Sequence, residues 1–144
     1  MNVALIGAGY WGPNLARVFF GLPGCNLHTI CDKKKDRLDS IKASFPNINT
    51  TPDYKSLLGN PELEAIAIAT EVQYHYEIAK KCLLAGKHVL VEKPLALNSD
   101  ECKDLIGVAK AKNRLLMVGH LLEYHPAVRK LKKLIDSREL GRIY

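Results

Sequence analysis

The sequence predicts an α/β protein in which a doubly wound parallel sheet lies between two layers of helices. Apolar runs of four to six residues alternate with longer segments of helical periodicity, and this alternation is the pattern of βαβ units. The runs are almost continuously apolar, as in strands that are buried on both faces. A chain of 144 residues with 47% hydrophobic and 25% charged residues is large enough to bury such a three-layer core.

Six strands are predicted, with a helical segment or a turn after each. Pro13 fits the first turn of the first helix, where its missing N–H costs nothing. Gly86 suits the end of a helix over residues 72–85, and the strand HVLV follows almost at once. The predicted strands are residues 3–6, 27–31, 49–51, 65–69, 88–91 and 115–118.

The last two helices have their own start signals. Asn98, with Glu101 three residues later, resembles a capping box, and a further helix is predicted over residues 126–135. The closing SRELGRIY is typical of a turn and the start of another strand, so we expect residues 1–120 to form one domain and residues 121–144 to lead towards a second. One predicted helical face contains Cys102, Leu105, Ile106 and Ala109.

The apolar segments are too short for a signal-peptide core or for the roughly 18 apolar residues of a membrane span. We therefore expect a cytoplasmic protein without a membrane partner. Because its cysteines form no C-x-x-C pair, we expect them to be core thiols, with no metal site and no disulfide. These cysteines are Cys25, Cys31, Cys82 and Cys102.

The net charge of +6 permits a nucleic-acid interpretation, because basic surfaces attract phosphate. Much of the excess lies in KKKDR at residues 33–37 and VRKLKK at residues 128–133. Both runs have an amphipathic helical pattern and lack the interleaved aromatic residues that stack on bases. The pattern favours solvated helix faces, and no nucleic-acid partner is expected.

The stretch GAGYWGP places Gly7, Gly9 and Gly12 between the first strand and the first helix. In a dinucleotide-binding turn of the Rossmann type, the first glycine makes the tight turn and the second lets the backbone approach a pyrophosphate. The third lets helix and strand pack closely. The helix N-terminus then offers free N–H groups to the phosphates. The alternative is a purely structural strand-to-helix turn.

Asp32 lies 20 residues after Gly12, at the end of the second predicted strand. An acid there accepts hydrogen bonds from the adenosine ribose hydroxyls and repels an added 2′-phosphate, so the sequence favours NAD over NADP. Lys33 and Lys34 weaken that preference, because a cation beside this acid can hold a 2′-phosphate. An ordinary surface aspartate is the alternative.

The fifth strand runs into HVLVEKPLAL, which places Glu92, Lys93 and Pro94 where the carboxyl ends of the strands meet the cofactor cleft. One interpretation is an exposed Glu-Lys pair closed by a proline that ends the strand. The other is catalytic, because a lysine at the mouth of such a crevice can hydrogen-bond the alcohol that gives up hydride and accept its proton.

The chain as a whole resembles the nucleotide-binding half of the Gfo/Idh/MocA oxidoreductases, the glucose–fructose oxidoreductase and inositol dehydrogenase family. The resemblance implies pyridine-nucleotide-dependent chemistry on a sugar or cyclitol hydroxyl, with Lys93 touching the reacting oxygen. It also implies that Thr70 and Glu92 line the nicotinamide ribose region and that His75 lies close by. It is carried by GAGYWGPNLAR, ICD, AIAIATEVQYHYEIAKKCLLAGKHVLVEKPLAL and MVGHLLEYHPAVRKLKKLIDSRELGRIY, with AGKHVLVEKP the most specific part.

Within the family, GYWGPN and GHLLEYHPAVRKLKKLI most resemble the branch that acts on nucleotide-linked amino sugars such as UDP-N-acetylglucosamine. That resemblance implies cofactor contacts for Tyr10 and Trp11 and substrate contacts for Tyr124 and His125. The same aromatic residues could instead pack around turns. The chain departs from the family at Glu71, where proline is usual. This carboxylate is either exposed and harmless or repels the pyrophosphate or a charged substrate.

Family members also carry a second α/β domain, whose sheet covers the nicotinamide and supplies a histidine in an H-D or H-x-x-D setting. No segment of this sequence corresponds to it. We therefore expect NAD binding by this chain, with NADP possible, full dehydrogenase activity only with that domain, and association with that domain or with further copies. A non-catalytic nucleotide sensor is the alternative, and Lys93 favours catalysis over it.

Overall fold

In a computed structural model that describes residues 1–143, the chain forms a six-stranded, wholly parallel sheet in the order β3-β2-β1-β4-β5-β6. The doubly wound prediction is confirmed, because the strand order reverses beside β1. The strands are Asn2–Ile6 (β1), Asn26–Cys31 (β2), Asn49–Thr51 (β3), Ala65–Ile68 (β4), His88–Val91 (β5) and Leu116–Val118 (β6). The helices are Gly12–Gly21 (α1), Lys35–Ser44 (α2), Lys55–Leu58 (α3), His75–Leu84 (α4), Ser99–Ala111 (α5) and Pro126–Asp136 (α6).

The sheet is buried on both faces, as its continuously apolar strands predict. Side chains alternate along β1, so Ala4 and Ile6 pack on one face and Leu5 on the other. The first face is covered by α4 and α5, and the second by α1 and α2. Each face is a separate apolar cluster, and burial of these clusters is the main force that holds the helices on the sheet.

Capping fixes the start of α5 largely as the sequence predicts. The Asn98 side chain accepts hydrogen bonds from the amides of Asp100 and Glu101 at 3.1 and 2.9 Å. The return bond differs from a standard capping box, because Glu101 accepts from the amide of Leu97 at 3.1 Å. The predicted buried face is too wide: Leu105 and Ala109 are buried, whereas Ile106 lies roughly 80° around the helix from their midpoint and is exposed.

The helix predicted over residues 72–85 is divided in the structure. A 3-10 turn at Val72–Tyr74 precedes α4, which begins at His75. Gly86 follows the end of α4 with φ +78°, a left-handed conformation that glycine adopts without steric cost. The chain therefore re-enters the sheet directly at β5.

The last helix has an apolar stripe that the described residues do not cover. No residue of α6 is buried, and Val128, Leu131 and Ile135 are exposed along it. Residues 141–143, where a strand start was expected, have no regular secondary structure, and Tyr144 lies outside the described residues. None of the described helices is both long and apolar enough to cross a membrane.

The cysteines are free thiols. Burial raises the pKa of both Cys31 and Cys82 to about 12, with the charges of Asp32 and Asp53 adding to the effect at Cys31. These two thiols are therefore protonated core groups, as predicted. Cys25 and Cys102 are only half-buried.

A substitution at Gly12 tests how closely α1 packs against the end of β1. A Cβ at Gly12 would collide with the carbonyl oxygen of Gly7, a backbone atom that cannot move aside cheaply. We expect Gly12→Ala to lower the free energy of unfolding by about 1–3 kcal/mol, the usual cost of overpacking, in urea denaturation. The control is Gly21→Ala in the same helix, where a Cβ meets no atom within 4 Å and no loss is expected. Equal effects of the two substitutions would contradict the packing argument.

Candidate functional site

A cleft of about 910 Å³ crosses the carboxyl ends of β1 to β4. This is the place where ligands bind in open α/β sheets, because neighbouring connections leave the sheet in opposite directions there. The lining residues come from the glycine turn, the end of β2, the loop after β3 and the turn after β4. They include Gly7, Gly9, Tyr10, Trp11, Asp32, Lys33, Arg37, Tyr54, Thr70 and Tyr74.

The glycine turn forms the floor of the cleft. Gly7 has φ +100°, and a Cβ on it would lie 2.5 Å from the carbonyl oxygen of Ala69 at the end of β4. A Cβ on Gly9 would meet the guanidinium of Arg37, whose Nη1 would lie 3.2 Å away. The turn therefore presents bare main chain at the start of α1, where the first amides of a helix lack intrahelical acceptors. This geometry suits an anionic group such as a diphosphate.

Asp32 lies beside this turn with its carboxylate almost fully buried. Its Oδ2 accepts from the amide of Ala8 at 2.8 Å, and its Oδ1 accepts from the amide of Lys34 at 2.9 Å. Burial alone would raise the pKa of this carboxyl. The two amides and the guanidinium of Arg37 outweigh that effect and hold the pKa below its ordinary value. Asp32 is therefore a fixed negative charge at the rim of the cleft.

Arg37 is the cleft residue that the sequence analysis missed. Its Nη1 lies 3.2 Å from Oδ2 of Asp32, and the same guanidinium lies over Gly9. The interpretation of residues 33–37 as a solvated helix face is therefore wrong for Arg37. It is the third residue of α2 and points back into the cleft. Arg37 follows Asp32 by five residues and lies in the first turn of α2. This spacing could have indicated the contact.

Lys33 reaches across the opposite rim of the cleft. Its ammonium lies 5.4 Å from the ring centroid of Tyr74, within the range of a cation–π contact. Lys33 follows β2 and Tyr74 follows β4, so the contact joins the two sides of the cleft. Lys33 and Arg37 thus both bring positive charge to the cleft, which favours an anionic ligand.

A smaller cavity of about 370 Å³ continues the cleft towards β5. It shares Tyr10, Trp11, Ala69 and Thr70 with the cleft and adds Glu92, Lys93 and Leu121. The structure therefore brings the glycine turn, Thr70 and the EKP turn together around two joined cavities, as the sequence analysis expects.

Glu92 and Lys93 differ in their surroundings. The Glu92 carboxylate accepts from the amide of Lys93 at 3.3 Å and lies over Gly119, where a Cβ would come within 3.1 Å of both its oxygens. Gly119 after β6 thus leaves room for Glu92, a contact that the sequence analysis did not identify. The Lys93 side chain is exposed, and no hydrogen-bond or ion-pair partner for its ammonium occurs among residues 1–143.

His75 does not point into either cavity. Its ring is 2% exposed, and its nitrogens face the carbonyl oxygens of Thr70 and Pro94 at 3.0 and 2.8 Å. Glu71, the departure from the family pattern, is exposed along the cleft. The expectation that His75 lies close to the nicotinamide region stays a prediction, and the ring lies behind the cavity wall.

The aromatic residues separate into two groups. Tyr10 is 96% exposed and Trp11 38% exposed, and both line the junction of the two cavities. Tyr124 and His125 line neither cavity: Arg129 lies 5.6 Å from the Tyr124 ring, and His125 caps α6 through the amide of Ala127. The structure therefore does not bring the two expected substrate contacts to the site, because the chain turns away into α6 after Leu121.

Within the described residues, no group of three or more His, Cys, Asp and Glu side chains is arranged to hold a metal ion. The polar chemistry of the site thus comes from backbone amides, one buried carboxylate and a set of cations. Amides and cations bind phosphate oxygens, whereas a carboxylate accepts from hydroxyls.

Comparison with protein families gives a match over residues 1–120 to the Gfo/Idh/MocA model, described as an oxidoreductase family with an NAD-binding Rossmann fold. A 1-carboxy-3-chloro-3,4-dihydroxycyclohexa-1,5-diene dehydrogenase of Comamonas testosteroni is 39% identical over 74% of this chain and 27% of its own length. Levoglucosan dehydrogenase of Pseudarthrobacter phenanthrenivorans is 32% identical over 99% of this chain and 39% of its own. UDP-N-acetylglucosamine 3-dehydrogenase of Acidithiobacillus ferrooxidans is 29% identical over 92% and 41%. The chain thus spans well under half the length of these relatives.

Comparison with solved structures finds proteins with the same fold. GenD2 from gentamicin A biosynthesis, in complex with NAD, has a TM-score of 0.91 and 27% identity over 96% of this chain and 40% of its own. A variant of KijD10, a 3-ketoreductase of Actinomadura kijaniata in complex with TDP-benzene and NADP, has a TM-score of 0.90. It is 25% identical over 99% of this chain and 46% of its own. Both forms of the nicotinamide dinucleotide therefore occur among the structural neighbours.

The lowered pKa of Asp32 predicts how stability depends on pH. A carboxyl whose pKa is lower in the folded than in the unfolded state stabilises the fold above its ordinary pKa, 3.8, and loses that contribution as the pH falls through the folded value. We expect wild-type protein to be more stable than Asp32→Asn at pH 7 in urea denaturation, with the difference shrinking below about pH 4. Asp39→Asn, which removes an exposed charge from α2, is the control. A difference between wild type and Asp32→Asn that does not change with pH would contradict this account.

Proposed function

The chain belongs to the Gfo/Idh/MocA oxidoreductase family, and on that premise we propose that it is the cofactor-binding part of a dehydrogenase that oxidises a hydroxyl group of a sugar-like substrate. The observation that carries the proposal is that two cavities are continuous with each other. One cleft joins the glycine turn and Asp32 to a second cavity beside Lys93. The length of the relatives supports a second domain in the complete enzyme.

The cleft fits a nicotinamide dinucleotide on the chemistry of its residues. The bare main chain between Gly7 and Gly12 leaves space that a Cβ would fill, and the N-terminus of α1 attracts the diphosphate. Asp32 would accept from the adenosine ribose hydroxyls. The nicotinamide end would then lie in the smaller cavity, between Thr70 and Lys93.

Arg37 gives the cleft a second way to hold the adenosine end. Its Nη1 lies 3.2 Å from Oδ2 of Asp32, so a ribose diol competes with Arg37 for the same carboxylate. A 2′-phosphate would instead pair with Arg37, and Lys33 is within the same cleft. We propose that NAD is preferred because Asp32 is buried and fixed, and that NADP is also accepted.

When bound, the nicotinamide ring supplies the hydride acceptor. In its neutral amine form, Lys93 would hydrogen-bond the substrate hydroxyl, accept its proton as the hydride leaves and become the ammonium. Glu92 is fixed over Gly119 and would hold the backbone of the EKP turn in place. The second domain would close the open side of the cavity and exclude water.

The substrate class rests on the relatives, which are named for cyclic compounds that include levoglucosan and UDP-N-acetylglucosamine. We propose a small ring-bearing molecule with a secondary hydroxyl. A nucleotide-linked amino sugar is the narrower form of this proposal, and it rests on the GYWGPN turn, because Tyr124 and His125 lie away from the cavities. A panel of sugars, cyclitols and nucleotide sugars distinguishes the two forms.

Calorimetric titration of the chain with NAD and NADP tests the cofactor site. We expect Asp32→Ala to weaken NAD binding about tenfold or more, the effect of losing hydrogen bonds to a charged acceptor. NADP binding should change much less, because the substitution also removes repulsion of the 2′-phosphate. Asp39→Ala removes an equal but exposed charge from α2 and should change neither affinity.

A substitution of Arg37, the cation beside Asp32, completes this test. Arg37→Ala should weaken NADP binding more than NAD binding, because it removes the cation and frees Asp32 for the ribose. Equal losses of NAD and NADP affinity in Asp32→Ala would overturn the ribose assignment. Absence of binding of either nucleotide to the wild-type chain would overturn the proposed function.

Lys93 separates an enzyme from a nucleotide sensor. In the longer protein that includes the second domain, Lys93→Ala should lower kcat at least about a hundredfold, the usual contribution of a general base, with little change in cofactor affinity. Lys103→Ala, at an exposed site on α5, is the matched control. Unchanged turnover in Lys93→Ala would leave this lysine without a catalytic role and favour the sensor.

A further inference from the structure

His75 joins the two turns that form opposite sides of the smaller cavity. Its Nε2 lies 3.0 Å from the carbonyl oxygen of Thr70, directly after β4, and its Nδ1 lies 2.8 Å from the carbonyl oxygen of Pro94, directly after Lys93. The ring is 2% exposed, so water does not compete for these positions. One side chain at the start of α4 thus contacts the backbone on both sides of the cavity.

The two partners of the ring are both carbonyl oxygens, which only accept hydrogen bonds. A neutral imidazole has one N–H and one acceptor nitrogen, so it would satisfy one carbonyl and turn a lone pair towards the other. The ring therefore donates a hydrogen bond to one of the two carbonyl oxygens and lies against the other.

We propose that His75 is a positioning residue that fixes the separation of Thr70 and Lys93, because its buried ring lies within hydrogen-bond distance of the carbonyl oxygens of both Thr70 and Pro94. Thr70 and Lys93 line the same cavity, and neither lies in a strand of the sheet. Backbone hydrogen bonds of the sheet continue only to Ala69, which bonds Ile6, and to Glu92, which bonds Ile68, so Thr70 and Lys93 each lie one residue beyond them. His75 supplies the link there. This inference rests on the proposed function, since it gives the fixed separation a purpose in holding the nicotinamide end of the cofactor.

A second histidine provides a matched comparison. His88 begins β5, and its Nδ1 accepts from the amide of Leu115 at 3.0 Å. It therefore also links two backbone segments, but at the opposite end of the sheet from the cleft. A purely structural role would make His75 and His88 alike in their effects on ligand binding.

The test compares the affinities of variants for NAD and for AMP by calorimetry. AMP occupies only the adenosine half of the cleft, so it reports whether that half is intact. His75→Ala removes the contacts with both carbonyls. His75→Asn places an amide nitrogen at the position of Nδ1, and His75→Gln places one at the position of Nε2, so each keeps a donor towards one of the two carbonyls.

We expect His75→Ala to weaken NAD binding about tenfold while AMP binding changes less than about twofold, with His75→Asn and His75→Gln between wild type and His75→Ala. His88→Ala should leave both affinities within about twofold. Equal losses of NAD and AMP affinity, or unchanged NAD affinity, in His75→Asn and His75→Gln would overturn the proposal. These two variants keep the test decisive if His75→Ala does not fold.

Nitrogen-15 NMR of the wild-type chain at pH 7 tests the bridge independently of any ligand. A ring N–H signal of His75 should be visible and protected from exchange, because the ring is buried and donates to a backbone carbonyl. A ring N–H that exchanges freely with solvent would overturn the bridge. Failure of wild-type protein to bind NAD, with the protected ring N–H present, would instead overturn the proposed function and leave the bridge standing.

Discussion

The close approach of the turn after β1 to the ends of β2 and β4 is the constraint on which the rest of the site depends. The amide of Gly7 donates to the carbonyl of Cys31 at 2.8 Å, and the amide of Ala69 donates to the carbonyl of Ile6 at 2.8 Å. A side chain at Gly7 would strike Ala69. With glycine there, the three strand ends converge, and Asp32 and Thr70 come within reach of one ligand. The cleft is thus a consequence of backbone packing before any polar side chain contributes.

The elements most directly encoded by local sequence were the most predictable. Two strands have the predicted bounds, residues 49–51 and 88–91, and the other four differ by one residue at one end, since short apolar runs between turn residues leave little choice. Arg37 and Gly119 escaped prediction for a common reason. Their contacts with Asp32 and Glu92 depend on how far one element reaches across another, which periodicity within a segment does not contain. Tyr124 and His125 line neither cavity, and their predicted substrate contacts stay a prediction.

In the cleft, the negative charge of Asp32 is balanced by the positive charge of Arg37. Asp32 is held by two amides and by Arg37, so its negative charge is compensated within the fold itself. A ribose diol at this carboxylate would compete with the guanidinium. The same contact keeps a cation within reach of any phosphate on the ribose. In the proposed function, the affinity for the adenosine end and the discrimination between the two dinucleotides therefore depend on the same groups.

The two halves of the site differ in what holds them. The adenosine half is built by strand ends and the start of α1, whose positions the sheet and both apolar clusters fix. The half beside Lys93 lies just beyond the last backbone hydrogen bonds of the sheet, those of Ala69 and Glu92. Hydride transfer is sensitive to small displacements of the reacting groups, so the proposed reaction would need these two turns held at a fixed separation. The buried ring of His75 contacts both turns from behind without occupying the cavity, and the side chain of Lys93 is left exposed at its mouth.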